Sequence, residues 1–164
     1  VVSPEKISAA AALCEIASLT SFEESADPFL YPILSRALKA LEQACDREHL
    51  DLVVAAYAFK VLAHGGWRPE LGECTACGDA DPLYISIGAG GLVCGSCAPT
   101  LPDAEPVSPT QIAWLRSCIA LTFDELLSAD IDAGMALFLL GMAHGWAAAR
   151  LSVRLKALEF SLRL

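Results

Sequence analysis

Apolar residues recur at helical intervals along most of the chain. The cleanest stripe is Leu50, Val53, Val54, Tyr57, Ala58, Val61 and Leu62, which predicts a helix stopped by Gly65-Gly66. Ahead of it, Leu34, Leu38, Leu41 and Cys45 recur at intervals of 4, 3 and 4 residues, leaving Arg36, Lys39 and Glu42 to water. Ser3-Pro4 has the form of a cap followed by proline at the first helical position. The helix it opens, to about Leu19, is apolar nearly all round through Ile7, Ala10, Ala11, Leu13, Cys14, Ile16 and Ala17. Between these two, Ser21-Phe-Glu-Glu24 has capping-box spacing within a turn-rich stretch that holds Pro28 and Pro32.

The second half repeats these signals. Ser108-Pro109 opens a helix with Ile112, Leu115, Cys118 and Ile119 inward, and Thr122-Phe-Asp-Glu125 caps a short one through Leu127. A last helix, from Asp132 to Leu164, is long and reads as central, with Met135, Phe138, Met142 and Trp146 as core. Gly141 and Gly145 lie on one face, where another backbone could come close.

Between the halves the period changes. Leu83 to Ile87 and Leu92-Val93 read as short strands, joined by a turn at Gly88-Ala-Gly-Gly91. Around them stand Cys74-Thr-Ala-Cys77 and Cys94-Gly-Ser-Cys97, two C-x-x-C turns with sixteen residues between them. Such turns bring paired sulfurs to one side of an ion, and this spacing is that of a four-cysteine zinc site. Gly78 and Gly95 tolerate the positive φ that such turns use. Four sulfurs close the coordination shell, so the zinc is expected to be structural, with an iron–sulfur centre or another metal as the alternative. A redox pair would sit beside a βαβ pattern, and c-type haem would need histidine where Gly78 and Ala98 stand. His64 is expected to complement a helix C-terminus and not to bind the metal.

The predicted fold class is therefore mainly α, a helical bundle with an inserted four-cysteine zinc ribbon built on a small β-hairpin. Residues 1–66 form the first half of the bundle, 67–106 the ribbon between proline-rich stems, and 107–164 the second half.

Composition changes this picture in three places. The hydrophobic share of 55% and mean hydropathy of +0.49 are high for a freestanding domain, so some apolar surface is expected to meet another domain or partner. Seven cysteines leave Cys14, Cys45 and Cys118 outside the metal set, as small buried hydrophobes of a reducing compartment. The net charge of −9 divides as −4, −5 and 0 over the three segments and argues against unaided nucleic-acid binding. The bases that stand close together are Arg150, Arg154, Lys156 and Arg163. Ala133 to Ala149 is apolar apart from His144 but short for a span, so a core helix and no membrane association are expected, as is the absence of a signal peptide.

Three runs carry a resemblance: Gly65-Gly-Trp-Arg-Pro-Glu-Leu71, then Cys74-x-x-Cys-Gly78, then Gly90-Gly-Leu-Val-Cys-x-x-Cys97. With the ending Arg154-Leu-Lys-Ala-Leu-Glu-Phe160, and with Phe22-Glu-Glu24 before Leu30-Tyr31, the chain resembles the RecO family of bacterial recombination mediators over nearly its whole length. The resemblance implies a cytoplasmic, non-enzymatic DNA-repair factor, nucleoid-associated during repair. Such a factor anneals complementary strands and, with RecR, loads RecA onto single-stranded DNA coated by the single-strand-binding protein SSB. Family members begin with an OB-fold domain that carries much of the single-strand binding. The chain opens at Val1 without that strand pattern, so the domain is expected to precede it. The resemblance also implies docking of the acidic SSB tail, for which Arg150, Arg154 and Lys156 are the candidate cations. The alternative is a stand-alone zinc-ribbon adaptor, for example in transcription.

Overall fold

The computed structural model describes residues 3–20 and 27–162, and the side chains of all of these but residue 20 and residues 153–162. The Ser21–Glu24 capping box therefore lies outside the described residues, as do the side chains of Arg154 and Lys156.

Three helices precede the ribbon: α1 (Pro4–Thr20), α2 (Leu30–Gln43) and α3 (Arg47–His64). The ribbon holds β1 (Tyr84–Ser86), β2 (Gly91–Val93) and β3 (Glu105–Pro106), and α4 (Pro109–Ala120), α5 (Phe123–Leu127) and α6 (Ala133–Leu162) follow. Most helix starts are where the capping residues put them. The Ser3 hydroxyl accepts from Lys6 N at 3.2 Å, and Asp132 Oδ1 accepts from Met135 N at 2.8 Å. Ser108 with Gln111 and Thr122 with Glu125 form full reciprocal capping boxes.

The centre of the bundle is α3, not the last helix. It packs against α1, α2, α4, α5 and α6, and from Leu50 to Leu62 every residue but Lys60 is buried. The predicted single stripe is thus buried all round, because alanines at 55, 56 and 58 let neighbouring helices approach on faces the pattern leaves small. Conversely α1, expected to be covered on several sides, is one-sided. Ala9, Leu13 and Ile16 face inward, while Ile7 is 58% exposed and Cys14 lies open. On α2 the inner stripe is Ile33, Ala37, Ala40 and Leu41, so Leu38 and Cys45 turn outward and only Cys118 of the three spare cysteines is a buried hydrophobe. On α6 it is Ala136, Leu139, Ala143, Trp146 and Ala147, with Met135, Phe138 and Met142 at its edges. Small residues carry these stripes, and a reading weighted toward large apolar side chains places them a position or two off.

Two polar contacts hold the helices in register. Lys60, the break in the buried face of α3, donates to the carbonyls of Ile119 (3.1 Å) and Leu121, satisfying the C-terminal end of α4. His49 spans from Asp46, the α3 cap (Nδ1 to Oδ1, 2.6 Å), to the Ala129 carbonyl before α6 (Nε2 to O, 2.7 Å). Burial disfavours its charged form, but acceptors at both ring nitrogens outweigh that and raise its pKa above the ordinary 6.5. A raised folded-state pKa stabilises below the unfolded value and loses that contribution as pH rises through the folded one. The stability difference between the native chain and His49→Gln is therefore expected to be full near pH 6 and to shrink above about pH 6.5, read from urea titrations across that range. A pH-independent difference would show that His49 titrates alike in the folded and the unfolded chain.

Gly141 and Gly145 part company. A β-carbon on Gly141 would meet nothing within 4 Å, whereas one on Gly145 would stand 2.5 Å from Ile87 Cδ1 of the ribbon turn. It is a ribbon side chain, not a helix backbone, that uses the gap at Gly145. Gly141→Ala is expected to raise stability by ~0.5–1 kcal/mol through helix propensity alone. Gly145→Ala is expected to cancel or reverse that gain, because Ile87 must move. Denaturant melts giving the two substitutions the same sign of change would refute this packing.

Candidate metal centre

The ribbon is a three-stranded antiparallel sheet in the order β2-β1-β3, with Tyr84 opposite Val93, Ile85 opposite Leu92 and Ser86 opposite Gly91. Side chains alternate across it. Ile85 and Leu92 join Leu71 and Val107 in the helical core, while Val93 and Tyr84 join Cys74, Cys94 and Ala98 in a second, small cluster. One face of the sheet thus belongs to the bundle and the other to the cysteines. The proline-rich stems also pair. β3 lies along β1, and Glu70 lies along β2 through Glu70 N to Gly90 O and Leu92 N to Glu70 O, each 2.9 Å.

The turn is fastened by a residue that the sequence does not single out. Asp103 accepts from the buried Ser86 hydroxyl at 2.6 Å and from Gly88 N at 2.8 Å, and these donors hold its carboxyl below the usual range. No motif marks Asp103, because its role exists only once the exit stem folds back over the turn.

Each C-x-x-C forms a tight knuckle. Gly78 N donates to Cys74 O and Cys74 N to Asp79 O, both at 2.9 Å, while Cys97 N and Ala98 N donate to Cys94 O. Gly78 has φ +79, as expected of a knuckle glycine, but Gly95 does not have positive φ, so only the first knuckle needs that freedom. Thr75 N donates to Leu92 O at 2.8 Å and ties the first knuckle to β2.

The result is convergence. Sγ atoms of Cys74, Cys77, Cys94 and Cys97 all lie within 4.8 Å of one another, and Cys77 and Cys94 stand 3.6 Å apart. Among the described residues no other set of three or more His, Cys, Asp or Glu gathers in this way. His64 is elsewhere, stacked on Phe29 and bonded to Asp27 Oδ2 at 2.8 Å. Cys74 and Cys97 do not titrate alike. Desolvation opposes ionisation of Cys74, but the backbone N–H groups of Cys77, Cys94 and Ala76 outweigh it and pull that thiol down to about 6. Cys97, sharing space with Cys94 and Cys74, is pushed up to about 12. Four thiolates this close repel one another, and a divalent cation at their centre removes the repulsion. The cluster can hold one metal ion.

Of the predicted cations at the other end, Arg150 stands over the Trp67 ring, 4.9 Å from its centroid, against the stem that leads into the ribbon. Among the described residues no helix is long and apolar enough to cross a membrane.

Comparison with known proteins adds the following. Residues 2–159 match the family model described as "Recombination protein O C terminal". A "DNA repair protein RecO" of Bifidobacterium longum (strain DJO10A) is 36% identical over 118 residues, covering 71% of this chain and 47% of that protein. One of Dehalococcoides mccartyi (strain BAV1) is 34% identical over 122 residues, 73% of this chain and 47% of its own length. One of Desulforudis audaxviator is 30% identical over 131 residues, 79% of this chain and 51% of its own length. The chain thus spans about half the length of the curated relatives it matches.

Proposed function

This chain belongs to the RecO family, and from that membership we propose that it is the helical and zinc-binding part of a DNA repair and recombination mediator. The whole protein anneals complementary strands and, with RecR, loads RecA onto SSB-coated single-stranded DNA. The observation that carries the reading is the match over residues 2–159, which takes in both helical halves and the ribbon between them.

Zinc is the metal in this reading. A tetrahedral zinc–tetrathiolate unit with bonds of about 2.3 Å has sulfur–sulfur edges of about 3.8 Å, and the Cys77–Cys94 separation of 3.6 Å fits that shell. When bound, the ion supplies a brace, since a hairpin of this size does not hold itself. With four thiolates around it no position is left for water, so the protein works by binding partners, without a chemical step, in the cytoplasm. Single-stranded DNA is held mainly by an OB-fold domain outside this chain, consistent with the net charge of −9. RecR and the acidic SSB tail are the protein partners.

The test is titration of the chain with purified RecR and with an SSB tail peptide, alongside strand annealing by the full-length protein. Saturable binding of at least one partner and accelerated annealing are expected. Failure of all three would favour a zinc-ribbon adaptor with other partners.

A further inference from the structure

The sulfur quartet has one open corner. Cys74 and Cys94 are 2% and 4% exposed and Cys97 is half-buried, whereas Cys77 lies exposed to solvent. Across the gap between the knuckles the Cys94 sulfur stands 3.6 Å from that of Cys77. Backbone N–H groups hold the knuckles in this approach. Thr75 N donates to Leu92 O at 2.8 Å, two residues before Cys94, and Cys94 N donates to Cys74 Sγ at 3.3 Å. Both knuckles are thus anchored at the end of β2 by the chain itself.

A closed zinc–tetrathiolate shell leaves no position for water, but its sulfurs keep lone pairs, so an exposed one can still attack an electrophile. The charge around Cys77 selects which electrophile arrives. Glu73, Asp79 and Asp81 are all exposed within four residues of it, and residues 67–106 hold six acids against one base. Anionic oxidants, oxidised glutathione among them, are repelled from such a surface, whereas a small neutral peroxide is not.

We infer that Cys77 and Cys94 are a peroxide-sensitive pair, oxidised to a disulfide with loss of the metal. The Cys77 thiolate attacks one oxygen of hydrogen peroxide, the O–O bond breaks, hydroxide leaves, and Cys77 becomes a sulfenic acid. The Cys94 thiolate then attacks that sulfur and expels a second hydroxide as the S–S bond forms. Two electrons have passed from the two sulfurs to one peroxide, and both hydroxides take up protons from water. The sulfurs close from 3.6 Å to about 2.05 Å, a movement open to the solvent-facing Cys77 side chain. Two of the four ligands are then spent, and Cys74 with Cys97 alone hold zinc too weakly to keep it against a chelator. The ribbon exchanges an ionic brace for a covalent one, and in a reducing compartment the exchange is transient. This inference rests on the zinc reading above and adds to it a modification of the same site.

The experiment is titration of the zinc-loaded chain with hydrogen peroxide, with Cys14→Ser and Cys45→Ser in place so that the accessible thiols are those of the ribbon. Zinc release is read with a chromogenic chelator and thiols are counted after denaturation. Links are mapped by non-reducing mass spectrometry after cleavage at Asp79 and Asp81, which parts the two knuckles. One equivalent of zinc is expected to leave for every two thiols lost, with a Cys77 to Cys94 link, and dithiothreitol with added zinc is expected to reverse both. Cys77→His, which keeps a zinc-ligating side chain but no sulfur, is expected to release zinc ~10-fold more slowly. Should that variant not load zinc, the mapped link in the chain with Cys77 intact decides alone. A link inside either knuckle, thiol loss without any link, equally fast release from Cys77→His, or faster release by oxidised glutathione than by peroxide would each overturn the inference. A chain that never holds an equivalent of zinc defeats the zinc reading and the inference with it. One that holds the equivalent but forms no Cys77 to Cys94 link defeats the inference alone.

Discussion

Cys94→Ser is expected to reduce bound metal from one equivalent to a small fraction of one, and to lower stability by about 3 kcal/mol, or about 6–12 °C in melting temperature for a chain of this size. Cys94 is buried, stands 3.6 Å from the Cys77 sulfur, and donates its own N–H to Cys74 Sγ at 3.3 Å, so it touches both knuckles at once. A serine hydroxyl stays protonated at neutral pH and replaces a thiolate poorly. Three remaining sulfurs then lack their fourth partner, and like-charge repulsion returns as soon as they ionise. The loss does not stop at the ribbon, because Ile85 and Leu92 on the far face of the sheet are part of the helical core. Most helical circular dichroism is nevertheless expected to remain, since the contacts of α3 with α1, α2, α4, α5 and α6 do not pass through the cysteines. Metal analysis and melting of the two proteins check this. Retention of a full equivalent by the variant, or collapse of all helical signal, would contradict the proposed division between brace and bundle.

How much of this was readable from sequence follows from the kind of signal each feature leaves. The cluster of four cysteines was legible because C-x-x-C spacing is local: the knuckle dictates the geometry, and the geometry dictates the spacing. Helix starts at Ser108, Thr122 and Asp132 were legible for the same reason, each being a contact across three residues. What the chain hides is which face of an alanine-rich helix turns inward. Ala37, Ala40, Ala136 and Ala143 are buried not for their own hydrophobicity but because they let a neighbour close in, and that neighbour is distant in sequence. Pairing of the stems was hidden too. Glu70 and Pro106 carry no strand propensity, and they pair only because β1 and β2 offer them unpaired edges. The stacking of Arg150 on Trp67 joins the last helix to the stem that leads into the ribbon, and nothing in either segment announces it.

Gly91→Ala is expected to cost about 3 kcal/mol while leaving the metal in place, which separates the two ways in which the ribbon is held. A β-carbon there would overlap the carbonyl oxygen of Glu70 and stand 2.7 Å from its nitrogen. Both of those atoms are backbone and both are bonded, the nitrogen to Gly90 O and the oxygen to Leu92 N. No rotamer change relieves the contact. The incoming stem must lift off β2, giving up two hydrogen bonds worth ~1 kcal/mol each and part of the burial of Leu71. Arg116, which donates to the Leu71 carbonyl from α4, loses its partner in the same movement. None of these atoms is a metal ligand, so the four sulfurs keep their spacing and the ion its shell. Gly95→Ala is the control. A β-carbon there would come no nearer than 3.9 Å to Tyr84 Cε1, on a backbone without positive φ, and a change within about 0.5 kcal/mol is expected. Denaturant melts, metal content and limited proteolysis at the incoming stem measure the three consequences together. If Gly91→Ala matched Gly95→Ala in stability, the parallel pairing of Glu70 with β2 would carry no weight, and the core contacts of Ile85 and Leu92 would join ribbon to bundle without it.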